Sequence, residues 1–198
     1  MLRSLYLTGL GGQGTVTLAD LLAERAAEAG LQVSIFHAKG MAQRGGRVSS
    51  EIRLCDNPGA SFGARIGEGG ADVLIGMEIG ETIVSLPLLR QDGIVLLLDQ
   101  ATVPVELLLK KAHYPSLEEA AAAFTPRTEA LFAVREAASP QLVFLLGVFA
   151  AVVPPREPEL AVYQADALER LIRARLQRNL EQNLAAFHAG YAHGRRLT

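Results

Sequence analysis

One cysteine, no tryptophan and a formal net charge of only −2 over 198 residues set the first limits. The single thiol, Cys55, has no partner for an internal disulfide, and it reads as a packed residue at a strand end rather than a nucleophile. These residues alone cannot supply the thiolates of an iron–sulfur cluster or a cysteine-rich zinc site. With 19 basic against 21 acidic residues, no overall field draws the chain to nucleic acid or anionic lipid, and no basic stripe is interleaved with aromatics. The longest apolar run, residues 142–153, spans 12 residues and contains Gly147. A membrane-spanning helix needs about 20, so this run reads as a core helix. Met1-Leu2-Arg3-Ser4 leads straight into an apolar stretch, without the pattern of a secretory leader. The expectation is a cytoplasmic protein with neither nucleic acid nor membrane as partner.

What the chain does have is apolar material and glycine. At 49% hydrophobic residues it can bury one substantial core, and it reads as one domain over 1–198 with a C-terminal helical part from about 158 to 197. The run Thr8-Gly9-Leu10-Gly11-Gly12-Gln13-Gly14-Thr15 follows an apolar strand-like stretch and precedes a helix-like one. Strand, glycine turn and helix together make a seat for an anion: glycines let the backbone approach a ligand, and free N–H groups at the helix start point at negative charge. Gly9, Gly11 and Gly14 also fit the dinucleotide pattern G-x-G-x-x-G. That pattern wants a carboxylate at the end of the second strand. Here the strand ends in His37, Ala38 and Lys39. A phosphate-binding module and a nicotinamide enzyme both remain open on these residues.

Alternating strand and helix signals over the first half predict an α/β fold: a Rossmann-like, open, largely parallel sheet flanked by helices, followed by a C-terminal helical segment. Strands are expected at about 4–9, 32–37, 47–54, 71–76 and 93–99, with one more at 131–134. Helices are expected at about 13–29, 78–89, 117–124 (N-capped by Ser116), 140–153 and 158–197. Residues 55–70, with five glycines and a proline, read as a loop.

A second glycine segment, Lys39 to Gly46, follows the second strand. Gln43 and Arg44 supply donors suited to carboxylate or phosphate. Ligands of open parallel sheets sit at the carboxyl ends of strands, so this segment and the first glycine turn are expected to face one site. The candidate binding residues are Gly11, Gly12, Gln13, Gly14 and Thr15 on one wall, and Gln43, Arg44, Gly45 and Gly46 on the other.

Taken in order, residues 7–14, Gly40-Met41-Ala42-Gln43-Arg44-Gly45-Gly46-Arg47-Val48, Ile52-Arg53 and Ala71 to Glu78 resemble the gamma-type subunit of 2-oxoacid:ferredoxin oxidoreductases. The wording Met41 to Gly46 is most similar to the small subunit of the indolepyruvate type. The resemblance implies an accessory subunit of an enzyme that oxidatively decarboxylates a 2-oxoacid to an acyl-coenzyme A and passes electrons to ferredoxin. It places thiamine diphosphate, Mg2+ and the iron–sulfur clusters on a larger partner subunit, with coenzyme A as substrate. It also implies that the isolated chain is inactive and that the glycine walls bind a coenzyme A phosphate or a partner carboxylate.

Other residues carry weaker signals. Glu78 and Glu81 stand just after a central strand, where they suit either the site or a helix first turn. His37, Asp99 and Gln100 end strands near the same edge. His188 and His193 are five apart on a helix, off a common face, and do not read as a metal pair. The stripe Leu168, Leu171, Ile172, Leu176, Leu180, Leu184 and Phe187 is expected to face the core, with Arg170, Arg173, Arg175 and Arg178 flanking it.

Overall fold

The structure is a computed structural model that describes residues 1–40 and 46–198. Six strands form one sheet: β1 (Leu2–Leu10), β2 (Gln32–Lys39), β3 (Arg47–Cys55), β4 (Ala71–Gly76), β5 (Leu89–Leu98) and β6 (Thr128–Val134), in the spatial order β2-β3-β1-β4-β5-β6. β1, β4, β5 and β6 pair in parallel, while β3 runs antiparallel between β1 and β2. The sheet is therefore largely parallel, as expected, but the first and second strands are not neighbours. Both still end at the same edge, because each is antiparallel to β3.

Two layers of helix follow from the period-two alternation of the strands. On one face Leu5, Leu7, Ile52, Leu54 and Ile75 pack against α1 (Thr15–Glu28), α5 (Gln141–Val152), α6 (Ala165–Arg175) and α7 (Leu180–Leu197). On the other, Tyr6, Leu74, Val95 and Leu97 meet α2 (Ile79–Val84) and α4 (Leu117–Phe124). A five-residue helix, α3 (Val105–Leu109), lies in the connection before α4. α1 ends with Gly30 at φ 84, a left-handed stop. α4 starts with Ser116 and Glu119 in a reciprocal capping box.

Three elements differ from the sequence expectation. The helix after β4 stops at Val84, and β5 begins at Leu89; the turn-like Gln91-Asp92-Gly93 is a bulge within that strand, with Asp92 at φ 59. The helix expected over 158–197 is three pieces: a 3-10 turn at Pro158–Tyr163, then α6 and α7, separated where Asn179 takes φ 57. α3 was not anticipated. The core stripe is as expected for Leu168, Leu171, Ile172 and Phe187, which are buried, and Arg170, Arg173 and Arg175 pair with acids at its border. No helix among the described residues is long and apolar enough to cross a membrane.

α5 is the buried centre of its layer, with all but Gln141 and Leu142 inaccessible. Glycines let α7 lie directly on it. A Cβ on Gly190 would sit 1.9 Å from the Phe144 carbonyl oxygen, and one on Gly147 would sit 2.1 Å from that of Phe187.

The opposite edge of the sheet is fastened by ions. Asp72 accepts from the Ser4 amide at 2.7 Å and from Arg90 Nε at 2.9 Å; Arg90 also pairs with Glu157, and Arg3 joins Asp72, Glu157 and Glu159. Burial pushes the Glu157 carboxyl above the usual glutamate range, against the pull of Arg90 and Arg3. Through that window the folded chain holds a proton that the unfolded chain has released, so the contribution of Glu157 to stability falls as pH rises. Denaturation midpoints measured across the acidic range should therefore decline more with rising pH in the parent than in Glu157→Gln. Parallel pH profiles would disprove the assignment.

Candidate functional site

The site grows out of the turn between β1 and α1. Gly12 (φ 96) and Gly14 (φ 85) take left-handed backbone that other residues adopt only at a cost. Gln13 closes the turn: its amide N–H donates to the Leu10 carbonyl at 3.2 Å, and its Oε1 accepts from the Leu10 amide at 2.7 Å. The Gly11 amide donates to the Gly46 carbonyl at 3.0 Å. Gly11 and Gln13 thus build the wall, while the helix start faces outward from it.

At that start no side chain among the described residues caps α1, and its first turn has no acidic residue. The N–H groups of Thr15, Val16 and Thr17 have no partner within the helix. They border a cavity of 420 Å³ lined also by Gly11, Gly12, Gly14 and Lys39. Thr15 is buried, and among the described residues its hydroxyl has no hydrogen-bond partner. Helix dipole, unpaired amides and the Lys39 ammonium all favour an anion here.

Gln43, Arg44 and Gly45 lie outside the described residues. Their flanks are at the rim: the Gly40 amide donates to the Arg47 carbonyl at 2.7 Å, and Gly46 bonds Gly11. Of the described ends of that segment, Gly46 meets the first glycine turn, while Gly40 is tied to Arg47.

His37 does not meet the cavity as an acid or base. Its Nδ1 is 2.8 Å from Ser50 Oγ and its Nε2 is 3.2 Å from Asp20 Oδ1. The distances are those of a serine–histidine–aspartate array, yet Ser50 is fully buried and offers no nucleophile to a substrate. Asp99 and Gln100 use backbone groups, to Val134 and Ile79 at 2.8 Å each. His188 pairs with Glu169, and no group of three metal-ligating residues occurs among the described residues.

Glu78 is buried and caps α2: Oε2 accepts from the Glu81 amide at 2.9 Å. Its Oε1 accepts from the Thr102 amide at 3.0 Å and from the Tyr114 hydroxyl at 2.7 Å. Burial and this carboxylate hold the Tyr114 proton far above the ordinary phenol range. Arg47, opposite Leu10 in the sheet, reaches Glu81, Ser85 and Tyr6. Burial raises the Glu81 carboxyl, with Arg47 opposing and Glu78 adding to the shift. Arg47 and Tyr114 were not singled out from the sequence. The position of Arg47 directly after Gly45-Gly46 was an available signal for it; nothing near Tyr114 marks that residue.

Residues 4–193 match the family described as pyruvate ferredoxin/flavodoxin oxidoreductase. The chain belongs to that family. It is 37% identical over 116 residues to the indolepyruvate oxidoreductase subunit IorB of Pyrococcus horikoshii, covering 59% of this chain and 56% of that one. Against the same subunit of Archaeoglobus fulgidus it is 35% identical over 119 residues, 60% and 57% of the two chains. The aligned stretch thus spans little more than half the length of these relatives. The fold agrees with that of a keto/oxoacid ferredoxin oxidoreductase gamma subunit from Geobacter sulfurreducens, with TM-score 0.64, 19% identity, and coverage of 97% and 98%. It also agrees with part of 2-oxoglutarate:ferredoxin oxidoreductase from Magnetococcus marinus, whose structure contains 2-oxoglutarate, coenzyme A and succinyl-CoA; there the TM-score is 0.68 at 18% identity, over 100% of this chain and 32% of that one. A dinucleotide fold sets its second strand beside its first; in this member of the oxidoreductase family β3 stands between them.

Proposed function

We propose that this chain is the small subunit of a 2-oxoacid:ferredoxin oxidoreductase of the indolepyruvate type, cytoplasmic and active only with a larger subunit. The observation that carries the reading is the Gly11–Gly46 hydrogen bond. It joins the two glycine segments by which the chain resembles the family at one rim, beside an unneutralised helix start and Lys39. That rim suits a phosphate of coenzyme A or a carboxylate of the larger subunit, held by the Thr15–Thr17 amides and, in this reading, by Gln43 and Arg44 of the second glycine segment.

Thiamine diphosphate, Mg2+ and iron–sulfur clusters do not fit this chain's own residues. Its one cysteine is buried, and the described residues contain no metal-ligating cluster. In this reading those groups belong to the larger subunit, which carries out decarboxylation and electron transfer to ferredoxin, while residues 1–198 act as one unit that shapes the entrance to its site.

Co-expression with the larger subunit should give a stable complex that reduces a viologen dye when supplied with indolepyruvate or a related 2-oxoacid. The chain alone should give no reduction, and turnover by the chain alone would defeat the subunit reading. Arg44→Ala should lower coenzyme A affinity or complex yield about tenfold, the loss of one charge-assisted hydrogen bond. If the isolated chain instead binds phosphate esters tightly and never joins a larger subunit, it is an independent phosphate-binding module.

A further inference from the structure

A second opening lies at the same rim on the opposite face of the sheet. It has a volume of 460 Å³ and is lined by Tyr6, Lys39, Arg47, Ser49, Arg65 and Leu88. Three of these are cations, and two are held from behind. Arg47 Nε faces Glu81 at 3.3 Å, and its Nη2 donates to Ser85 at 3.1 Å and to Tyr6 at 3.3 Å. Arg65 Nε pairs with the buried Glu51 at 2.9 Å, and its guanidinium lies over the Phe36 ring at 4.4 Å. Among the described residues Arg47 Nη1, both Nη atoms of Arg65 and the Lys39 ammonium donate to no protein acceptor.

Arg47 is thus hydrogen-bonded through Nη2 and ion-paired at Nε, and Arg65 is held by its ion pair and its ring contact, so that each guanidinium keeps donors suited to an oxyanion. The two arginines balance the two carboxylates that hold them, and Lys39, which this opening shares with the cavity at the start of α1, adds one positive charge. Ser49 adds a hydroxyl, and Leu88 with the Tyr6 ring supplies apolar wall. We propose that this opening binds a phosphate group, carried free or as an ester of a small organic molecule, at a site distinct from the glycine turn. The donors outnumber the two oxygens of a carboxylate and match the three or more acceptors of a phosphate. The volume leaves room for an attached group. The inference does not depend on the subunit assignment, because every residue in it belongs to this chain and its assay involves no turnover.

Calorimetric titration of the full chain at low salt with inorganic phosphate, pyrophosphate and an aryl phosphate tests it. Arg65→Gln removes an exposed side chain and should weaken binding about tenfold, as expected for one charge-assisted hydrogen bond. Thr17→Glu puts a carboxylate into the cavity at the start of α1, which shares Lys39 with this opening, and should weaken this affinity less than Arg65→Gln does. Tighter binding of the aryl ester than of phosphate would identify an organic source, and equal binding the free ion. The proposal is overturned by no binding of any probe at about 1 mM, by an unchanged affinity in Arg65→Gln, or by a loss in Thr17→Glu as large as that in Arg65→Gln.

Discussion

Gly190→Val should be the most damaging single substitution outside the site. The Cβ it adds would stand 1.9 Å from the Phe144 carbonyl oxygen, a backbone atom that no rotamer change can move aside. Relief requires α7 to lift from α5, which uncovers Phe144, Val148 and Phe187 in the main core. Overpacking typically costs about 1–3 kcal/mol, and a clash with main chain belongs at or beyond the top of that range. The denaturant midpoint should fall with little change in slope. Gly190→Ala should move it in the same direction by less. A midpoint equal to the parent's would show that the helix pair separates freely.

Removal of the buried carboxylate by Glu78→Ala should cost about 3 kcal/mol or more, the sum of a lost N-cap and two buried hydrogen bonds. The Thr102 amide and the Tyr114 hydroxyl converge on one oxygen of Glu78, so this side chain fastens both ends of the connection that contains α3. Tyr114→Phe removes one of those fastenings and should cost about 1 kcal/mol. Hydrogen exchange at the Thr102 and Glu81 amides should quicken in Glu78→Ala. Unaltered protection there would mean that other contacts hold the connection.

Much of the half that positions the site was legible. The glycine turn and α1 read correctly because strand, turn and helix signals are local: apolar residues at Leu5 and Leu7, left-handed positions at Gly12 and Gly14, and a helical stripe through Leu18 and Leu22. The direction and place of β3 did not. Its alternating pattern shows one face inward, but which strand it borders depends on partners distant in sequence. The start of β5 was hidden because Gln91-Asp92-Gly93 has the residues of a turn while serving as a bulge. Glu78 was seen as a helix-start acid, and it is one; its further bonds to Thr102 and Tyr114 join segments 24 and 36 residues apart, beyond any local signal. Arg47 was quoted within a motif without a role, because its partners Ser85 and Tyr6 lie 38 and 41 residues away.

The antiparallel wedge has a consequence for how the chain is born. Leaving the ribosome, the N-terminal strand finds no neighbour to pair with until residues 47–55 have followed it. β2 is finished earlier, yet it joins the sheet only through those same residues. The outer edge is thus synthesised before the piece that attaches it. A nascent chain arrested before Arg47 would have every backbone amide of the anion seat and no sheet to hold them in place.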